Sequence, residues 1–342
     1  MDIYRIFKPV IFISRVFCLA PFAAVEDSGS TIYKFSTFWS LYSILGVCAS
    51  FIVQINVFWI PLSISDAFSE VAIAFPCVAS VVTQVLCLNN GKNVIRILEN
   101  VSVLDSEHSG ARIGYYKLYK VFILHLICYI FSLVGLNVMW FAAMDTNSVY
   151  YFKIACYSTL NFICDVVLLL SESQFIHFVL LLKYRFSVLN DTVINFTVPL
   201  LYKTSLNRMI RAPSVDRSVN SSTSAVSSSI TLLQSTLRKV CRHHDALCDI
   251  LESVNRMYSF QFLLSVTITC INVLFMAYVF STGLSNPTLN LFSSKLFLSV
   301  SSFAVVLVVT VKVVLLVVVC NRASQEVSGL QLWCPSVCFM NT

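Results

Sequence analysis

Charge is what this sequence has least of. Asp, Glu, Lys and Arg make up 12% of its 342 residues, about half the roughly 25% of an ordinary soluble domain. That scarcity excludes a disordered chain, a nucleic-acid-binding domain and most soluble enzymes. Glycine and proline are scarce as well, eight of each, which excludes collagen-like and low-complexity material. No H-E-x-x-H, G-x-S-x-G, P-loop or G-x-G-x-x-G signature occurs, so neither enzymatic activity nor a cofactor is expected. What the chain does have is apolar surface: 57% hydrophobic residues and a mean hydropathy of +0.81. Thirteen cysteines are present. Most of them, including Cys48, Cys77, Cys128, Cys270 and Cys320, sit inside apolar runs, where cysteine behaves as a small hydrophobe rather than as part of a secreted disulfide framework.

The apolar residues come in long runs with few or no charges, and a bilayer-spanning helix needs about 20 mainly apolar residues. Six runs qualify, near 37–61, 71–91, 121–144, 154–182, 258–282 and 296–320. The sixth is dense in valine, but an isolated segment in lipid must satisfy its own backbone, so it is read as a helix. The expectation is an all-α, polytopic transmembrane helical bundle. Arg5, Lys8 and Arg15 break the apolar stretch at the N-terminus, so it is not a signal peptide. It reads as an amphipathic arm lying at the membrane surface.

Six spans alternate the loops between two sides. The N-terminal arm, loop 92–120, loop 183–257 and the tail after Cys320 carry 20 of the 23 Lys and Arg residues. Positive loops stay inside, so the N-terminus is expected in the cytoplasm. Four N-x-S/T sequons begin at Asn100, Asn190, Asn195 and Asn220, all on that side, and none is expected to be glycosylated.

Within the cytoplasmic loop 183–257, residues 214–231 hold eight serines and read as a flexible linker. After it, Leu233, Leu237, Val240, His244, Leu247, Leu251, Val254 and Tyr258 are spaced 4-3-4-3-4-3-4, a heptad seam that implies a helix over 232–257 running into the fifth span. Packing within the subunit and contact with another subunit explain such a seam equally well.

Three charges fall inside spans: Asp165, Glu172 and Lys312. Asp165 and Glu172 are seven residues apart and share a helix face. A charge in lipid seeks a partner, so an Asp165/Glu172–Lys312 contact is one expectation, and snorkelling of Glu172 and Lys312 to the interface is the other. Cys241, His243, His244 and Cys248 match no common zinc spacing, and no metal site is expected.

Several stretches resemble the insect gustatory receptors. PVIFISRVFCLAPF (Pro9 to Phe22) resembles the arm that opens members of that family. QFIHFVLLLKYRFSVLN (Gln174 to Asn190) resembles the end of their fourth helix. HHDALCDILESVNRMYSFQFLLSV (His243 to Val266) is similar to the entry into the fifth, and CNRASQEVSGL (Cys320 to Leu330) to the stretch after the sixth. The resemblance covers about 330 residues, with 331–342 as a divergent C-terminal tail. It implies a seven-helix subunit of a homo- or hetero-tetrameric, ligand-gated cation channel in the plasma membrane of chemosensory neurons. A small-molecule tastant would bind among the outer ends of the helices, with lipid around them, and the heptad seam would be part of the subunit anchor. Polar or aromatic residues in the outer halves of spans are the pocket candidates: Trp59, Phe75, Trp140, Tyr157 and Asn161.

The family's last helix, which lines the pore, opens with Thr-Tyr and ends in Gln-Phe. After Leu330 this sequence reads QLWCPSVCFMNT, twelve residues that are too few to span, so a form without the pore helix is expected. An odorant receptor of the same superfamily, a membrane transporter and a G-protein-coupled receptor are the alternatives. A transporter should show internal repeats and charges on several helices. The G-protein-coupled class has the opposite orientation.

Overall fold

The computed structural model describes residues 3–27, 30–58, 67–106, 151–210 and 220–285, with further helical residues scattered over 120–138 and 303–328. The chain divides into two compact units, Met1–His177 with Val254–Val318, and Phe178–Ser253 with Val319–Thr342.

In the first unit, helix α1 (Ile3–Val16) places Phe7, Val10, Ile11 and Ser14 on one buried stripe, the i, i+3, i+4, i+7 spacing of an amphipathic helix. The stripe faces protein rather than the lipid surface expected from the sequence. Phe7 packs on the His177 ring at 5.5 Å, and Leu19, just past the helix, joins a buried cluster with Cys87, Val166, Val167, Leu169 and Leu170. Amphipathicity reports only that one face needs cover, and here the neighbouring helices supply it. The helix ends in a Schellman motif: the Leu19 N–H donates to the Ser14 carbonyl at 2.7 Å and the Cys18 N–H to that of Arg15 at 3.0 Å. Cys18 occupies the left-handed position usually given to glycine, with φ 63°.

An antiparallel hairpin follows, β1 (Phe22–Asp27) and β2 (Ser30–Phe35), in register from Phe22↔Phe35 to Asp27↔Ser30. It is the only sheet among the described residues, and the sequence reading did not anticipate it. The second strand is rich in β-branched and aromatic residues (Thr31, Ile32, Tyr33 and Phe35) and follows a Ser-Gly pair, a hairpin signal. Gly91 lets the chain dock here: a Cβ at that position would lie 2.6 Å from the Pro21 ring.

Helix α2 (Thr37–Phe58) begins at Ser36, whose hydroxyl accepts from the Trp39 N–H at 3.5 Å, a serine cap. Its Phe38, Leu41, Leu45, Phe51 and Ile52 are exposed, as suits a helix bathed in lipid. Helix α3 (Ala67–Ser106) extends fifteen residues past the apolar run that ended at position 91. Helix α4 (Tyr151–Ile210) has 60 residues, about 90 Å at 1.5 Å per residue, three times a hydrocarbon core. In its middle Val166–Leu170 are all buried. Helix α5 (Asn220–Ser285) has 66 residues. The serine-rich 214–231 segment, read above as a linker, is therefore helical from Asn220 on. Serine disfavours a helix only weakly, and the same helix continues through the seam and the fifth span.

Among the described residues four helical stretches are long and apolar enough to cross a membrane: Thr37–Ile55, Ala74–Leu104, Thr159–Asn195 and Arg238–Phe275. They overlap the first, second, fourth and fifth runs. Most of the third and sixth runs lies outside the described residues.

In the second unit, His244 sits edge-on to Phe186 at 5.7 Å. The Asn190 amide donates to both the backbone oxygen and the carboxylate of Glu326 at 3.2 Å, tying the helical stretch after position 320 to the lower part of α4.

Candidate functional site

A side-chain hydrogen bond between membrane helices stabilises by about 0.6–1.7 kcal/mol, so buried polar groups in apolar spans mark the places where helices are held in register. Among the described residues the first unit has two such places.

One lies in the halves of the spans that the charge bias puts outside. Helix α3 contributes Cys77 and Ser80, and α4 contributes Asn161 and Cys164, each pair at i, i+3 and hence on one face. The Ser80 hydroxyl donates to the Cys77 carbonyl at 2.9 Å and lies 3.3 Å from the Cys164 sulfur. The two thiol sulfurs are 3.8 Å apart, and the Cys77 thiol points at Asn161 Oδ1 at 4.0 Å. From α2, the buried Gln54 amide reaches Ser80 Oγ at 3.4 Å and the Cys164 sulfur at 3.9 Å. Three helices thus meet in one polar knot.

The other place lies nearer the N-terminal arm. Four consecutive α4 residues, Ser171, Glu172, Ser173 and Gln174, are all buried. Ser171 donates to Gln261 Oε1 at 2.9 Å, and the Gln261 amide donates to the Cys87 sulfur at 3.4 Å. The Gln174 amide donates to Ser14 Oγ at 2.8 Å, while its carbonyl accepts from the Tyr258 hydroxyl at 3.2 Å. Gln84 donates to the Phe17 carbonyl at 3.2 Å, and Ser265 donates to the Glu172 carboxylate. A cavity lined by Leu19, Cys87, Asn90, Gln174, Tyr258 and Gln261 adjoins this network, with about 10 Å³ of room, enough for roughly one water. Nearby on the arm, burial holds the Arg15 guanidinium below its usual range. Arg15 donates to the Phe22 carbonyl at 2.7 Å and lies over the Trp39 ring at 5.3 Å.

Of the pocket candidates, Asn161 is part of the outer knot, and Phe75 stands on α3 with 36% of its surface exposed. Trp59 and Trp140 lie outside the described residues, as does the side chain of Tyr157. Glu172 meets Ser265, and Asp165 is half-buried on α4. Lys312 lies outside the described residues, and with it the expected charge pair. On the seam, Val240, His244, Leu247, Val254 and Tyr258 are buried within this one chain and Leu251 is half-buried. The side chains of Leu233 and Leu237 are outside the described residues. His244 lies 3.8 Å from the Cys248 sulfur and 3.6 Å from Asp245.

Sequence reasoning missed Gln54, Ser80, Cys164, Gln174 and Gln261. A signal was present: an amide is costly inside lipid unless another helix answers it, and four glutamines, at 54, 84, 174 and 261, interrupt or border apolar runs.

Long apolar helices knotted together by buried polar groups define a polytopic membrane protein. Residues 7–333 match the family described as 7tm Chemosensory receptor, and the chain belongs to that family. It is a membrane chemoreceptor, whose ligands are small molecules. No curated protein matches it.

Proposed function

We propose that this chain is a gustatory receptor subunit: a tastant-gated, non-selective cation channel of the plasma membrane in chemosensory neurons, working as a homo- or hetero-tetramer. The observation that carries the reading is the family match across residues 7–333, and the stretches quoted above narrow it to the gustatory branch. The charge bias supports an internal N-terminus, the reverse of the G-protein-coupled orientation. The outer knot supports a pocket there, since a binding site is mostly apolar with a few convergent polar groups. The tastant would sit against Asn161 and Phe75.

The test is whole-cell recording from cells expressing the receptor, alone and with partner gustatory receptors, during application of bitter compounds and sugars. The expected result is a ligand-evoked cation current that persists when GDP-β-S in the pipette blocks G proteins. Asn161→Leu is expected to raise the half-maximal concentration about tenfold, the equivalent of one lost hydrogen bond. Abolition by GDP-β-S would overturn the channel reading. Responses confined to volatile odorants would favour the odorant branch, and ligand uptake without current would favour a transporter.

A further inference from the structure

Among the free cysteines described, Cys77 on α3 and Cys164 on α4 face each other in the outer knot with their sulfurs 3.8 Å apart. At that distance no atom fits between them. A disulfide bond is about 2.0 Å long, so closing one asks the sulfurs to approach by about 1.8 Å. Each sulfur hangs on a single rotatable bond. Its other contacts restrain it weakly: Cys77 points at Asn161 Oδ1 from 4.0 Å, and the Gln54 amide lies 3.9 Å from the Cys164 sulfur.

We propose that Cys77 and Cys164 are a site of oxidative modification, at which hydrogen peroxide closes a disulfide that clasps α3 to α4. One thiol, as its thiolate, attacks a peroxide oxygen. An S–O bond forms, the O–O bond breaks, and the leaving hydroxide takes up the thiol's proton as water. The second thiol then attacks the sulfenic sulfur. The S–S bond forms, the S–O bond breaks, and the hydroxyl leaves with the second thiol's proton as another water. Two RSH and H₂O₂ become RSSR and two H₂O, with the sulfurs oxidised by two electrons and the peroxide reduced by two. Both the thiol pair and the disulfide are neutral, which suits a site in lipid, where charge is expensive. The Asp165 carboxyl, which acts on both sulfurs, meets a charge only in the transient thiolate. The two cysteines are at most 3% exposed. Burial slows the first step, because only the thiolate attacks. It also protects the product, because a reductant the size of glutathione cannot reach a bond that peroxide, little larger than water, can form. The result is a lasting clasp rather than a rapid switch. It joins residues 87 positions apart, and a cross-link over a long loop is the kind that constrains the unfolded chain most.

The experiment uses the full chain in lipid nanodiscs, reduced, freed of reductant and then held overnight with hydrogen peroxide. The protein is denatured, its remaining thiols are alkylated with N-ethylmaleimide, and a pepsin digest is read by mass spectrometry without reduction. The expected result is a peptide pair joined through Cys77 and Cys164, two hydrogens lighter than the sum of its parts. Glutathione should leave the bond intact in the folded protein, and a phosphine should open it after unfolding. Oxidation should raise the thermal midpoint by several degrees, and the rise should be absent in Cys77→Ser and Cys164→Ser. Alkylation of both cysteines after peroxide would overturn the proposal, as would a sulfinic acid on either or a bond from either to another cysteine. A cross-link with no rise in midpoint would overturn the clasp. All of these are read on the wild-type chain, so they decide the matter even where the serine variants fail to fold.

Discussion

Gln174 shows what one residue does when it is buried in a membrane protein. Its amide has a donor end and an acceptor end, and both are used, one on Ser14 of the arm and one on Tyr258 of α5. No apolar side chain can join two elements in this way. Gln174→Leu fills the space but breaks both bonds. At about 0.6–1.7 kcal/mol per bond, it is expected to lower the thermal midpoint in detergent by several degrees. Tyr258→Phe, which breaks one bond, should lower it about half as far. A Gln174→Leu midpoint equal to wild type would mean that the arm is held by its apolar stripe alone. In the sequence Gln174 was only a polar letter inside a family-like stretch, because its two partners lie 160 and 84 residues away.

At the scale of elements, the join between the end of α1 and α2 depends on a pair of exchanged roles. Cys18 takes the left-handed position where glycine is usual, and Gly46 on α2 makes the room for its side chain. A Cβ at Gly46 would lie 2.1 Å from the Cys18 sulfur. Gly46→Ala is therefore expected to destabilise the arm by about 1–3 kcal/mol through overpacking. Adding Cys18→Gly removes the colliding sulfur and relaxes the backbone, so the double variant should recover much of the loss. A double-mutant cycle by thermal unfolding measures the coupling, and purely additive effects would show that the two sites do not touch. In the sequence Gly46 is one small residue inside the first apolar run. The reason for it lay 28 positions upstream, on an element the sequence placed at the membrane surface.

At the scale of the whole molecule, the expected orientation rests on charge. With 20 of 23 basic residues in one set of loops, the sequons at Asn100, Asn190, Asn195 and Asn220 are expected to stay unmodified when the receptor is made in insect cells. The check is endoglycosidase treatment followed by gel mobility. A shift traced to Asn190, Asn195 or Asn220 would reverse the topology and with it the channel reading. The structure adds a second reason at Asn190, whose amide nitrogen is already committed to Glu326. Four of the six expected runs appear in membrane-length helices among the described residues. The lengths of α4 and α5 were not legible in the same way. Hydropathy marks where a helix meets lipid, and both helices continue well past that point as polar helix.

Composition and periodicity alone marked this as a predominantly helical membrane protein and gave an expected orientation, while the short motif stretches marked its family. These properties are local: a run of apolar residues must satisfy its own backbone in lipid wherever it stands in the chain, and a basic loop stays inside on its own account. Only the tertiary structure decided that the N-terminal arm packs on protein, that a hairpin closes it, and that Cys77 and Cys164 meet. Those outcomes depend on which faces come together, and sequence spacing does not encode partners 84 and 87 residues apart.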